Sequence, residues 1–256
     1  MDNLVYNQLK VYLKRKELQY GCLFLIIMLL YFRTIYFDFN LDDHIITDAI
    51  SGKVTSLKDL LGIFKLSYNN TDYRPIVLLS YGIEELILGS IRPAVAHGIN
   101  VFLFFFICIS ALKLFRLIFD DTSESLLFAA IILFSVHPLN TEVVCSLKCR
   151  DNLLSMLFGL NAFIFFMYFL NQDKRKIIHF TLTVFFSFIA LLSKLDAIGF
   201  LLFGISYLFF YKTGKKTVYI IIGIAAVFIL FSVVSAIPGM LFSTDASTAL
   251  KGKVTF

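Results

Sequence analysis

Seven apolar runs, at about 20–37, 94–117, 125–136, 152–171, 177–193, 195–211 and 217–237, leave this chain few ways to fold. A helix needs roughly 20 apolar residues to cross a bilayer. Inside hydrocarbon every backbone amide must find its partner within the protein, which only helices and closed barrels achieve. The runs are continuous rather than alternating, so helices are expected. With 59% hydrophobic and 16% charged residues in 256, the composition lies outside the soluble globular range. The expected fold is an all-α polytopic membrane protein, 1–256 forming one membrane domain with about seven transmembrane helices. No basic, aromatic-interleaved surface points to nucleic acid. Trp is absent, so an aromatic belt falls to Tyr and Phe.

Charge gives the topology. Lys10, Lys14, Arg15 and Lys16 precede the first run, and "NQDKRK" (171–176) and "KTGKK" (212–216) separate later ones. With the N-terminus cytoplasmic, the inner segments 1–19, 113–124, 172–176 and 212–216 carry a positive excess and the outer ones a negative excess. No small-residue cleavage site follows the first run, which fits a retained signal-anchor helix. Residues 38–93 then form the first outer loop, 94–237 hold six further spans, and 238–256 make an outer tail.

The outer loop contains "RPIVLLSYGIEELILGS", an amphipathic helix expected over 75–90 with Pro75 in its first turn. Ile76, Leu79, Ile83, Leu86 and Ile87 share one face, with Ser80, Tyr81, Glu84 and Glu85 on the other. A helix lying along the membrane surface is expected, because an eighth span would bury two adjacent glutamates.

"HPLNTEVVCSLKCRD" (137–151) interrupts two apolar runs. The run before it, Ser125 to Val136, gives a helix of only about 18 Å against a hydrocarbon core of roughly 30 Å. His137 is therefore expected below the outer surface, in a recessed segment that lines a water-filled cavity. Ionisable groups at such depth are functional candidates. Cys145, Cys149 and His137 lack the spacing of a usual metal set, so no divalent metal is expected. Arg150 and Asp151 fit an exposed ion pair of little energetic value.

The topology brings Asp42, Asp43, Arg74, His97, His137, Glu142, Lys148, Arg150, Asp151, Lys194 and Asp196 to one side. Carboxylates beside separate Arg, Lys and His clusters suit transfer from a lipid-phosphate sugar. A base takes the acceptor hydroxyl proton, and cations stabilise the departing phosphate.

Four motifs carry a resemblance: "FNLDDHIITDAI", "YRPIVLLSYGIEELILG", "RPAVAHGINVFLF" and "HPLNTEVVCSLKCRDNLLS", with a partial fifth, "LLSKLDAIGF". In this order the chain resembles the GT-C class of membrane glycosyltransferases. It is most similar there to the transmembrane and tetratricopeptide-repeat O-mannosyltransferases and their bacterial relatives. The resemblance implies a polyprenyl- or dolichyl-phosphate sugar donor, an acceptor protein or glycan, an inverting hexosyl transfer and no cofactor. It implies an acidic base at Asp42 or Asp43, between which the sequence does not choose. Arg74, His97, His137, Glu142, Arg150 and Lys194 would line donor phosphate or acceptor. Where the family has Glu after the lysine, this chain has Leu195 and then Asp196.

The chain stops at "STDASTALKGKVTF" without the further spans and repeat helices of such enzymes. A truncated or split enzyme, with a second membrane subunit supplying missing helices, is thus an expectation. The competing functions are a non-catalytic lipid-phosphate binder and a transporter; no internal repeat supports the latter. A bacterial inner membrane is favoured over the endoplasmic reticulum by the short loops. "NNT" at 69–71 fits a glycosylation acceptor if the loop is lumenal.

Overall fold

The computed structural model describes residues 16–66, 68, 72–171 and 175–210. The basic N-terminal flank, the 69–71 triplet, most of the 172–176 link, the 212–216 link, the seventh apolar run and the tail lie outside the described residues. The described chain is helical: α1 Lys16–Tyr31, α2 His44–Ile50, α3 Leu57–Gly62, α4 Pro75–Leu88, α5 Pro93–Ile118, α6 Glu124–Ser135, α7 Leu139–Cys145, α8 Arg150–Asn171, α9 Lys176–Ser193 and α10 Ile198–Phe210. Short 3-10 turns extend α1 over Phe32–Tyr36 and α3 over Ile63–Lys65, and precede α2 and α10 at Leu41–Asp43 and Leu195–Ala197.

Four helical stretches are long and apolar enough to cross a membrane: Lys16–Tyr36, α5, α8 and α9. The protein is an all-α polytopic membrane protein. α5, with 26 residues, is about 39 Å long at the helical rise, longer than a hydrocarbon core of roughly 30 Å. α6 and α7 pass the same test only as a pair, bent by 66°. The bend follows from Pro138, which lacks an N–H to continue the α6 ladder. The short α10 is the described part of the sixth apolar run.

Two cores result. Leu23, Ile27 and Tyr31 of α1 pack with Val101, Phe104, Ile107 and Leu112 of α5 and with Leu160, Phe163 and Met167 of α8. The second core gathers Ile46 and Ile50 of α2, Ile63, Val77, Leu78 and Tyr81 of α4, and Leu147 beside α8. The segment 38–93 is thus a small helical layer stacked on one end of the spans.

α4 starts at Pro75 and stops at Gly89, whose φ of +74° suits a residue without Cβ. The two-faced character read from its sequence holds, but the polar face is not solvated. Tyr81, Glu84 and Glu85 are buried in the protein, while Ile83 and Ile87 are exposed. Neighbours on a helix point in different directions, so the two glutamates separate. Glu84 pairs with Arg150, and Glu85 accepts the Gly52 N–H.

Candidate functional site

The stretch that breaks the apolar pattern is ordered by its backbone partners. Ser146, Leu147 and Lys148 are non-helical, and each carbonyl accepts a side-chain hydrogen bond. Asn100 Nδ2 donates to Ser146 at 2.9 Å. Tyr81 Oη donates to Leu147 at 2.7 Å, and Tyr68 Oη to Lys148 at 3.2 Å. The Lys148 N–H in turn donates to Asp43 Oδ1 at 2.9 Å. Irregular backbone beside a membrane survives when its polar groups are satisfied by protein, and here α4, α5, Tyr68 in the loop before α4, and the 38–43 loop satisfy it.

This places Asp42 and Asp43 in different roles. Asp43 is buried, and its other oxygen accepts the Asn40 N–H at 2.8 Å. Both oxygens therefore hold backbone. Asp42 is exposed and meets Lys148 Nζ at 2.7 Å. The Lys148 hydrogen bond, and then its charge, hold the Asp42 carboxyl below the usual carboxylate range. The same bond pushes the Lys148 ammonium up.

Beside this pair, Asp151 collects two cations. Arg74, the residue before α4, forms an ion pair with it and a second with Asp72 at 2.6 Å. Lys194, just past the end of α9, lies 3.6 Å from Asp151 and 3.5 Å from Asp196, and donates to Asn152 Oδ1 at 2.7 Å. The Arg74 guanidinium sits 4.9 Å over the Tyr68 ring. Burial pushes the Tyr68 phenol up, so it stays a neutral donor to the Lys148 carbonyl. The starts of α4 and α8 and the end of α9 thereby converge with the 38–43 loop. Arg74 and Lys194 keep part of their side-chain surface open.

Arg150 does not join them. It is fully buried, and its guanidinium pairs with Glu84, donates to Asn100 Oδ1 at 2.9 Å and to Ala96 O at 2.8 Å, and lies 3.8 Å over the Tyr81 ring. The exposed Arg150–Asp151 pair read from sequence is therefore absent. Adjacent residues on α8 face different ways, and each found a partner on another element. His97 is buried with neither ring nitrogen hydrogen-bonded among the described residues, its ring edge-on to Phe37 at 6.1 Å. His137 is exposed at the bend; its Nδ1 accepts the Leu139 N–H at 3.3 Å. Glu142 is exposed on α7. Among the described residues neither contacts the Asp42–Lys194 group.

Lys148 and Asp151, brought to this side by the topology but given no role there, complete the arrangement with Tyr68 and Asp72, which sequence did not single out. Asp151 and Lys148 carried one usable signal, charge inside a non-helical insert. Tyr68 and Asp72 carried none, because only tertiary contact brings them there.

The chain is one of membrane helices with the exposed Asp42 near the partly open cations Arg74, Lys148 and Lys194. Protein O-mannosyl-transferase TMTC3 of Homo sapiens is 32% identical over 127 residues, which is 49% of this chain and 13% of that protein. The chain resembles the TMTC protein O-mannosyl-transferases. TMTC4 of Mus musculus is 33% identical over 115 residues, 39% of this chain and 15% of that protein. TMTC1 of Mus musculus is 31% identical over 110 residues, covering 41% and 11%. The chain thus matches only a small part of the length of these TMTC proteins. No family model and no solved structure matches it. These TMTC relatives are mammalian, which lends no support to the bacterial membrane favoured on loop length.

Proposed function

We propose that the chain carries the donor- and acceptor-facing part of a glycosyltransferase that uses a lipid-phosphate sugar on the outer or lumenal face of its membrane. The observation that carries this reading is the convergence of Asp42 with Arg74 and Lys194 at one end of the spans, in a chain similar to O-mannosyl-transferases. The donor phosphate would displace part of the carboxylate pairing at Arg74 and Lys194. Asp42 would accept the proton of an acceptor hydroxyl on protein or glycan. That oxygen bonds to the anomeric carbon from the side opposite the phosphate, the carbon–phosphate oxygen bond breaks, and lipid phosphate leaves as an anion. Inversion follows from the single displacement. The cations are supplied by side chains, and the reading includes no cofactor.

Accessibility favours Asp42 over Asp43 as the base. Asp43 has both oxygens on backbone N–H groups, and protonating it would loosen the loop that presents its neighbour. The test is sugar transfer by the purified chain in lipid, with labelled polyprenyl- and dolichyl-phosphate sugars. Asp42→Asn is expected to lower donor consumption by about 10²–10⁴-fold, the usual worth of a general base. Asp43→Asn is expected to lower both activity and thermal stability. Transfer that persists in Asp42→Asn removes the proposed base. Donor binding without turnover in the unaltered chain instead makes this a non-catalytic lipid-phosphate binder.

A further inference from the structure

The segment between α1 and α5 carries an apolar stripe that the described residues leave uncovered. α3 is nucleated by Asp59, whose carboxylate accepts the N–H groups of Thr55 at 3.0 Å and Ser56 at 2.8 Å. Its inner face locks onto α4. A Cβ at Gly82 would lie 2.4 Å from Ile63 Cδ1 and 3.2 Å from Leu60 Cδ2. The opposite face presents Leu57, 74% exposed, Leu61, 72% exposed, and Phe64, 39% exposed. Their spacing of four and then three residues is that of one helical stripe. Lys58 and Lys65, both exposed, stand one position along from Leu57 and Phe64.

The ion pairs already described tie the helical layer that carries this stripe to the ends of two spans. Arg74, immediately before α4, is tied to Asp151 in the first turn of α8. Lys194, one residue past the end of α9, lies against the same carboxylate. The start of α4 therefore sits where two spans leave the hydrocarbon, and α4 also packs on α9. The segment is strung between α1 and α5, and at its α1 end Tyr36, Phe37 and Phe39 are exposed aromatics. Such rings settle at the membrane–water boundary.

We propose that Leu57, Leu61 and Phe64 form an interfacial anchor, lying in the headgroup boundary of the leaflet on the Asp42 side, with Lys58 and Lys65 against anionic lipid phosphates. An apolar helical face with flanking lysines is the pattern that binds such a surface, entering it by roughly 5–10 Å. The anchor would hold the Asp42 end at the level of lipid headgroups, whether or not the chain transfers a sugar.

The chain contains no Trp, so one introduced indole reports its own surroundings. Leu61→Trp would be reconstituted in vesicles of phosphatidylcholine and phosphatidylglycerol, with Asp48→Trp, on exposed α2, as the aqueous comparison. The expected result is blue-shifted Leu61→Trp emission that falls in brominated lipid, more with bromines near the head of the acyl chain than near its end. Adding Lys58→Gln and Lys65→Gln is expected to weaken that quenching in the anionic vesicles. Asp48→Trp should emit to the red and be quenched by acrylamide alone. If Leu61→Trp behaves like Asp48→Trp, the stripe faces water and the anchor is rejected. Blue-shifted emission that brominated lipid leaves unchanged also rejects it, because a protein then covers the stripe.

Discussion

Lys148 holds the Asp42 carboxyl below its usual range, first through a hydrogen bond and then through its charge. In the native chain Asp42 therefore stays ionised down to acid pH, and activity that depends on it is lost only as pH falls through that lowered value. Lys148→Gln removes both causes and returns the carboxyl toward about 3.9, the unperturbed aspartate value. The acid limb of donor consumption is then expected to move to higher pH. A pH–rate profile of the two proteins checks this, and an unmoved limb would mean that the Asp42 charge does not govern the step. Arg150 makes a different prediction. Arg150→Ala leaves the Glu84 carboxylate buried without its cation, which is expected to cost about 3–5 kcal/mol. Replacing both partners by Met should cost far less, and thermal denaturation in detergent separates the two variants.

At the scale of elements, close approach and backbone satisfaction decide where helices sit. α8 and α10 meet at Gly159, where a Cβ would lie 2.3 Å from Phe200 Cδ2. Ala is the better helix former by about 1 kcal/mol, yet overpacking a filled contact costs about 1–3 kcal/mol. Gly159→Ala is thus expected to lower the denaturation temperature, and Gly159→Ala with Phe200→Leu to recover part of the loss. The 146–148 stretch depends on side chains from three other elements. Tyr81→Phe would leave the Leu147 carbonyl with the Arg150 N–H at 3.0 Å as its remaining partner, a loss of about 0.5–1.5 kcal/mol. Faster hydrogen exchange of the amides around residue 147 would accompany it.

Across the whole molecule the charged groups separate to opposite ends of the spans. Asp42, Arg74, Lys148, Asp151 and Lys194 gather at one end. At the other, Arg116 in the last turn of α5 pairs with Glu124 at the start of α6 and donates to Tyr20 Oη of α1 at 3.2 Å. Such a distribution keeps ions out of the apolar middle, where they are costly. In a chain with its four cysteines replaced, His44→Cys and Asp121→Cys are therefore expected to react with an impermeant thiol reagent from opposite faces of sealed vesicles. Labelling from the same face would overturn the arrangement.

The apolar runs by themselves marked four stretches long enough to span among the described residues, because their length and lack of alternation admit little but helices. Pro75 likewise marked a start through backbone chemistry local to that residue, whereas the helix read over 75–90 stops earlier, at Gly89. The tertiary structure decided everything that depended on which distant group a charge would meet. Arg150 and Asp151 are neighbours in sequence, yet one is sealed against Glu84 and the other gathers Arg74 and Lys194. Asp42 and Asp43 are chemically identical, yet the Lys148 N–H, arriving from 105 residues away, joins the local Asn40 N–H in pinning Asp43, while Asp42 stays exposed. Buried polar groups are placed by partners, and partners come from packing, which no local pattern of residues encodes.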